Sequence, residues 1–205
     1  MAPLNLTFRS RLPDQPGLAP AVVMVHGWLG NEDVMWAFES TLPAGAAVFS
    51  PRAPLPVQSG YGWMLPEDPG SFQRGLDALR EFVTGLPAAY PVDPARLVLM
   101  GFSQGAAMAG ALLLAAPELA RGAAMLAGLL PEPAVAWAAP GRLAGRRLLI
   151  LHGEHDETIP VDAARRARAV LTAAGAAVTY AEYPVGHKLS AQGMRALRAW
   201  LAEAL

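Results

Sequence analysis

The hydrophobic positions of this chain fall into two recurring patterns. Runs of consecutive apolar residues are typical of strands that are covered on both faces of a sheet, and they occur at 21–25, 46–49 and 97–100. Further strands are predicted at 122–127 and 147–151. Apolar residues at helical spacing predict helices over 32–42, 71–86, 106–116 and 161–174, and a last helix with an apolar stripe at Met194, Leu197, Leu201 and Leu205. Strict alternation over 4–9 predicts an edge strand, and 178–183 also alternates. This order of strands and helices predicts an α/β fold with a mostly parallel, doubly wound sheet flanked by helices.

The segment 51–70 follows neither pattern. It contains five prolines, together with Tyr61, Trp63 and Met64. This composition predicts that the segment forms no regular element. Long irregular segments in compact domains are usually functional or disordered, and the aromatic residues argue against disorder. We therefore expect this segment to cover part of a site.

Composition narrows the class of protein. The chain has 205 residues, of which 53% are hydrophobic and 16% are charged, so we expect one globular domain over 1–205. The net charge of −1 and the scattered basic residues exclude a nucleic-acid footprint. With no cysteine there is no thiol nucleophile and no disulfide. The apolar run 105–116 is too short to span a membrane, and 1–13 does not resemble a signal peptide, so we expect a cytoplasmic protein.

A Gly-x-Ser-x-Gly motif connects the strand 97–100 to the helix 106–116. Its residues are Gly101, Phe102, Ser103, Gln104 and Gly105. A serine between a strand and a helix lies on a sharp, strained turn that exposes its hydroxyl above the sheet edge. We predict that Ser103 is a catalytic nucleophile. The alternative interpretation is a buried corner with an incidental serine.

A serine nucleophile needs a histidine base, and the chain has four histidines. In the α/β-hydrolase arrangement the chain order is serine, acid, histidine. His26 precedes Ser103 and is expected to brace a loop, while His152 and His155 flank a strand end. His187 lies on a later loop, apart from the candidate acids. We therefore predict that His187 is the general base.

The acid must orient the base and stabilise its charged form. Glu154, Asp156 and Glu157 all follow the strand 147–151, so spacing alone leaves three choices. Asp156 precedes the next element and is placed to reach a histidine on the adjacent loop, whereas the two glutamates are expected to be solvated. We predict that Asp156 is the acid.

The tetrahedral intermediate needs two donors for its oxyanion. The backbone N–H of Gln104, at the start of the nucleophile helix, is the first. The second should come from the loop after the strand 21–25, where the N–H of Trp28 is the first candidate and that of Leu29 is the second. The donor role of Trp28 rests on its backbone, since its ring could equally fill the core.

Together these motifs resemble the phospholipase/carboxylesterase branch of the α/β-hydrolases, which includes acyl-protein thioesterases and small bacterial carboxylesterases. The resemblance runs from Ala21 to the C-terminal end and rests on His26-Gly27…Gly30-Asn31-Glu32, Asp93-Pro94…Arg96, Gly101-Phe102-Ser103-Gln104-Gly105, His152-Gly153…Asp156…Pro160 and Gly186-His187. It implies an α/β-hydrolase fold and a serine esterase with the Ser103, Asp156 and His187 triad and no cofactor. It also implies that 51–63 and Leu129-Leu130 line the acyl pocket. Leu29 departs from the glycine usual in related bacterial sequences. The short chain leaves room for only a minimal lid.

These observations predict a carboxylesterase for small-molecule esters with short to medium acyl chains. The predicted substrate contacts are Leu29, Tyr61, Trp63, Met64 and Leu129, with core packing open for Met64 and Leu129. One alternative is a thioesterase or lysophospholipase-type deacylase, which would use the same triad. Another is a non-catalytic binding module, which would lack a triad residue. We expect no metal site, because residues 152–156 fit a loop better than a ligand cluster. An apolar site rim or the last helix could serve as a homodimer contact.

Overall fold

The computed structural model of the chain describes residues 4–205. Residues 1–3 lie outside the described residues, and with them the start of the segment 1–13, which is not expected to be a signal peptide. The strands in chain order are β1 (Phe8–Arg11), β2 (Ala19–Val25), β3 (Ala47–Pro51), β4 (Leu55–Val57), β5 (Gly60–Gly62), β6 (Val92–Phe102), β7 (Gly122–Leu126), β8 (Arg147–Gly153) and β9 (Ala177–Tyr183). The helices are α1 (Ser71–Ala89), α2 (Gln104–Ala115), α3 (Glu132–Val135), α4 (Val161–Ala173) and α5 (Ala191–Ala204), with 3₁₀ helices at Val34–Thr41 and Pro117–Leu119.

Seven strands form one sheet in the order β1-β3-β2-β6-β7-β8-β9. Only β1 runs antiparallel to its neighbour within the described residues, so the predicted mostly parallel sheet is confirmed. The central strands contain continuous apolar runs, such as 97–100 in β6 and 148–151 in β8, because both faces of the sheet are covered there. In β2, Val23 and Val25 face the core beneath α1, α2 and α4, while Val22 and Met24 face the core beneath α5 and the first 3₁₀ helix.

The sheet has a topological switch point between β2 and β6. The chain leaves β2 towards the face that α5 covers and leaves β6 towards the face that α2 covers. Connections that diverge in this way open a crevice at the carboxyl ends of the two strands. Ser103 follows β6 directly, and the loop beginning at His26 follows β2, so both lie at this crevice.

Several predicted elements are wrong in type or extent. The edge strand predicted over 4–9 is β1, which begins only at Phe8, and the helix predicted over 32–42 is a 3₁₀ helix. The segment 51–70 contains a regular element after all, the hairpin of β4 and β5. Pro56 is tolerated there because a two-stranded ribbon consists only of edges. Strand β6 is longer than the apolar run 97–100 that predicted it, because it already begins at Val92.

Within residues 4–205, no helix combines the length and the apolar character needed to span a bilayer.

Candidate functional site

Ser103 occupies the corner between β6 and α2 in a strained conformation, with φ at +56° and ψ at −119°. Strain of this kind persists only where the surrounding structure fixes it. A Cβ on Gly105 would lie 1.9 Å from the carbonyl oxygen of Val25, and one on Gly101 would lie 2.1 Å from the carbonyl oxygen of Gly105. Both positions therefore require glycine, and the close approach of helix and strands that they permit forces Ser103 into the turn.

The structure brings Ser103, His187 and Asp156 together at the carboxyl edge of the sheet. The Oγ of Ser103 lies 3.0 Å from Nε2 of His187, and Nδ1 of His187 lies 2.7 Å from Oδ2 of Asp156. The residues come from the corner after β6, the loop after β8 and the loop after β9. In this arrangement the hydroxyl can donate to Nε2 while Nδ1–H donates to the carboxylate.

Asp156 is held as a carboxylate by its surroundings. Its Oδ1 accepts the backbone N–H groups of Thr158 and Ile159, both at 2.9 Å. Burial alone would raise the pKa of Asp156, but the N–H of Ile159, the ring of His187 and the N–H of Thr158 together hold that pKa below its usual value. Asp156 is thus ionised at neutral pH, as a partner for a charged imidazole must be.

The two other candidate acids, Glu154 and Glu157, are exposed. The buried neighbour of Asp156 is instead His152, whose Nε2 lies 2.8 Å from the carbonyl oxygen of Ile159 and 3.4 Å from Oδ2 of Asp156. A carbonyl can only accept, so Nε2 of His152 carries a proton and also faces the carboxylate. Among the described residues, the Nδ1 of His152 has no hydrogen-bond partner.

His26 is fully buried and braces the loop after β2, the role expected from its position. Its Nδ1 lies 2.7 Å from the carbonyl oxygen of Gly27, and its Nε2 accepts the N–H of Ala53 at 2.9 Å. Because a carbonyl can only accept, Nδ1 carries the proton and the ring is neutral. Burial lowers the pKa of His26 and so favours this neutral form, with a weaker opposing effect from the bond to Gly27.

The loop after β2 presents free backbone donors near Ser103. Within residues 4–205, neither the N–H of Trp28 nor that of Leu29 has an acceptor, so both remain candidates for the second oxyanion donor. The N–H of Gln104 begins α2, where helix geometry leaves it unpaired. Leu29 has a φ of +61°, a conformation that glycine adopts without strain. The unusual leucine at this position therefore keeps a glycine-like backbone.

A cavity of about 500 Å³ opens beside Ser103 and His187. Trp28 and the predicted contact Leu29 both line it. The remaining lining residues, which sequence reasoning did not identify, are Gly27, Gly30, Val34, Met35, Phe38, Phe102 and Thr158. The apolar stripe of the segment 32–42 was the available signal, but a stripe of that kind normally indicates packing against the core.

Four of the five predicted substrate contacts lie away from this cavity. The prediction for Trp63 is wrong, because its side chain is fully buried and its indole N–H donates to the carbonyl oxygen of His26 at 3.0 Å. Tyr61 packs its ring against the guanidinium of Arg52, at 4.7 Å. Leu129 lines a separate cavity of about 400 Å³ between the segment around α3 and helix α4.

Met64, the fourth, borders a hollow of about 200 Å³ together with Phe72 and Gln104. The side chain of Gln104 fixes this region, because its Oε1 accepts the N–H of Trp63 at 2.6 Å and its Nε2 donates to the carbonyl oxygen of Met64 at 2.8 Å. Trp63 and Met64 of the segment 51–70 are therefore held by the side chain of Gln104 at the start of α2 and do not cover the nucleophile.

Comparisons with known proteins identify the fold and the family. Over 206 aligned residues the chain is 27% identical to the carboxylesterase SOBER1 of Arabidopsis thaliana, covering 90% of each chain. The carboxylesterase of Bacillus cereus has the same fold, with a TM-score of 0.86 at 21% identity over 98% of this chain and 95% of that one. Acyl-protein thioesterase 2 of Zea mays superimposes with a TM-score of 0.72 at 23% identity over 97% of this chain and 98% of that one. Residues 66–205 match the model of the phospholipase/carboxylesterase family. The chain therefore belongs to the phospholipase/carboxylesterase family and is a serine hydrolase with the α/β-hydrolase fold.

Proposed function

We propose that this protein is a carboxylesterase that hydrolyses neutral esters with short to medium acyl chains, through an acyl-enzyme on Ser103. The observation that carries the proposal is the continuous hydrogen-bonded chain from Ser103 through His187 to Asp156, with distances of 3.0 Å and 2.7 Å. A serine hydroxyl is a weak nucleophile until a base can take its proton, and this chain supplies both the base and the group that orients it.

Acylation follows from this chain. His187 Nε2 takes the hydroxyl proton as Ser103 Oγ forms a bond to the ester carbonyl carbon, and the carbonyl π electrons move onto oxygen. The N–H groups of Gln104 and Trp28 hold this oxyanion, and loss of one such donor costs about 10²–10³ in turnover where it has been measured. Collapse then breaks the bond to the alcohol oxygen, which leaves with the proton from His187 Nε2.

Deacylation repeats these steps with water as the nucleophile. His187 takes a proton from the water as its oxygen attacks the acyl carbon, and then returns the proton to Ser103 Oγ as the acid leaves. Throughout both steps Asp156 remains a carboxylate, since its backbone donors favour the charged form. It thereby stabilises the imidazolium that forms twice in each cycle.

The lining of the cavity beside Ser103 supports a neutral, apolar substrate. Among the described residues that line it, His187 is the only one with a titratable side chain. Its rim includes three of the large exposed hydrophobic residues of the described chain, Trp28, Leu29 and Val34, with 39%, 38% and 49% of their surfaces exposed. A charged acyl group would lose hydration there without gaining a partner, whereas an alkyl chain gains from burial.

Labelling of the active serine tests the proposal. We expect a fluorophosphonate to add once to the wild-type protein, on Ser103, as measured by intact mass and peptide mapping. We also expect saturable hydrolysis of a 4-nitrophenyl ester series, with the highest kcat/KM at short to medium acyl chains. A folded protein that takes no label and turns over no ester would contradict the proposal and would favour a binding module.

Cavity variants identify which cavity takes the acyl chain. Phe38→Ala removes a ring from the cavity beside Ser103, so we expect the preferred acyl chain to lengthen in the same ester series. Leu129→Ala removes an apolar side chain from the separate cavity near α3 and should leave the acyl-chain preference unchanged. The opposite outcome, a shift with Leu129→Ala alone, would assign the acyl chain to the cavity near α3.

The exposed apolar rim also favours a second candidate, the removal of an acyl chain carried as a thioester on a larger molecule. The same triad serves both reactions, because a thiolate leaves from the tetrahedral intermediate as an alcohol does. Comparing kcat/KM for an S-acyl peptide with that for an O-acyl peptide of the same sequence separates the two candidates. A preference above about tenfold, or 1.4 kcal/mol of transition-state free energy, would decide between them.

A further inference from the structure

The loop over 27–32 carries the candidate second oxyanion donor, and its backbone is strained. Leu29 sits at a φ of +61°, a left-handed conformation that is unfavourable for a residue with a Cβ. A conformation of this kind persists only when contacts around it hold it in place. The contacts that hold this loop therefore set the direction in which the N–H groups of Trp28 and Leu29 point.

The β4–β5 hairpin holds the middle of the loop. The N–H of Tyr61 donates to the carbonyl oxygen of Gly30 at 3.0 Å. Gly60 lies so near the loop that a Cβ there would be 2.1 Å from the carbonyl oxygen of Leu29. The ring of Trp28 packs in the same way against Gly62, where a Cβ would be 2.7 Å from the ring. The hairpin thus forms a close-fitting wall against the loop.

An ion pair ties the end of the loop to Arg52, which follows β3 and in turn contacts the hairpin. The carboxylate of Glu32 accepts two hydrogen bonds from Arg52, one from Nε at 2.6 Å and one from Nη2 at 2.5 Å. The remaining nitrogen, Nη1, donates to the hydroxyl of Tyr61 at 3.2 Å, and the guanidinium lies 4.7 Å from the centre of that ring. The Glu32 side chain is only 15% exposed. Arg52 therefore links the last residue of the loop to the strand that holds its middle.

We propose that Glu32 and Arg52 are positioning residues for the oxyanion hole, fixing the loop so that its free N–H points at the developing negative charge. The proposal rests on the proposed esterase function. Neither residue lines the cavity beside Ser103, so neither is assigned a contact with the substrate. Their effect should therefore appear in the transition state and not in substrate binding.

The variant Glu32→Gln tests this role at almost constant volume. It removes the charge and replaces one acceptor with an amide N–H that faces the guanidinium, so the two-point contact is lost. We expect kcat for a 4-nitrophenyl ester to fall roughly tenfold, part of the 10²–10³ that loss of a whole donor costs. KM should change by less than about twofold, since ground-state binding is untouched. Arg52→Gln, which breaks the pair from the other side, should give the same result.

A transition-state analogue distinguishes positioning from a general loss of structure. A trifluoromethyl ketone forms a serine adduct whose oxyanion occupies the hole, so its Ki should rise by the same factor as kcat falls. Glu203→Gln is the matched control, because Glu203 pairs with Arg147 at 3.0 Å near the amino end of β8, at the opposite edge of the sheet. This control should leave both kcat and Ki at wild-type values.

The outcomes separate this proposal from the proposed function. A folded wild-type protein that takes no fluorophosphonate and hydrolyses no ester would overturn both. An active wild type whose Glu32→Gln and Arg52→Gln variants keep kcat and Ki would overturn the positioning role alone. A fall in kcat with an unchanged Ki, or one that Glu203→Gln reproduces, would also overturn it. All measurements are made at a temperature well below the thermal unfolding midpoint of each variant, so that only folded protein is assayed.

Discussion

Replacing Ser103 with alanine should lower kcat for ester hydrolysis by about 10⁶-fold, the loss seen when a serine nucleophile is removed from another hydrolase. The Oγ of Ser103 has one hydrogen-bond partner within residues 4–205, the Nε2 of His187, so no buried group besides that nitrogen loses a bond. Alanine also keeps the backbone strain of the corner unchanged. We therefore expect the free energy of unfolding to change by less than about 1 kcal/mol.

Turnover, labelling and denaturant unfolding of the Ser103→Ala variant check this expectation together. The variant should take no fluorophosphonate and should unfold at nearly the wild-type denaturant concentration. Ser40→Ala provides the control, because Ser40 is exposed on the first 3₁₀ helix and should keep full activity. Hydrolysis by Ser103→Ala at more than a few per cent of the wild-type rate would show that the nucleophile lies elsewhere.

Features fixed by local chemistry could be predicted from the sequence. The corner at Ser103 is one, because the glycines at 101 and 105 are required by backbone atoms only 2.1 Å and 1.9 Å from where a Cβ would be. The alternation of apolar strands and helices is another, since it follows from residues close together in the chain. The chain order of Ser103, Asp156 and His187 also selected a set that the fold then placed within hydrogen-bonding distance.

The walls of the cavity could not be predicted in this way, because they depend on which distant segments pack together. Trp63 lies in the segment expected to cover a site, yet its indole N–H needs a buried acceptor and finds one at His26. Phe38 belongs to an apolar stripe of the kind that normally packs on the sheet, yet it borders the opening beside Ser103. Only the tertiary packing distinguishes a core stripe from a cavity wall.

The acid poses the same problem at a smaller scale. Spacing left Glu154, Asp156 and Glu157 as alternatives, and the difference between them is one of burial and of backbone donors. Asp156 points inwards, where the N–H groups of Thr158 and Ile159 fix its Oδ1. Because this orientation is fixed, replacing one carboxylate oxygen of Asp156 with an amide nitrogen, as in Asp156→Asn, tests the role of the carboxylate.

Asp156→Asn should lower kcat by about 10⁴-fold at neutral pH, as the same change does in another serine hydrolase triad. The two backbone N–H groups require an acceptor at Oδ1, so the asparagine carbonyl must lie there and its amide nitrogen must take the place of Oδ2. That amide then donates to Nδ1 of His187, which moves the ring proton to Nε2. Since Nε2 would carry a hydrogen, it could no longer accept the proton of Ser103.

The asparagine amide would also face the Nε2–H of His152, which lies 3.4 Å from Oδ2 in the native protein. Because two N–H donors would then face each other without an acceptor, the free energy of unfolding should fall by about 1–3 kcal/mol. Circular dichroism and denaturant unfolding of Asp156→Asn measure that cost, while the rate of fluorophosphonate labelling should fall in parallel with kcat. Glu157→Gln and Glu154→Gln, at the exposed neighbours, should keep wild-type activity and change the free energy of unfolding by less than about 0.5 kcal/mol. If either glutamine variant loses as much activity as Asp156→Asn, the tautomer argument fails and the loop after β8 acts through a different carboxylate.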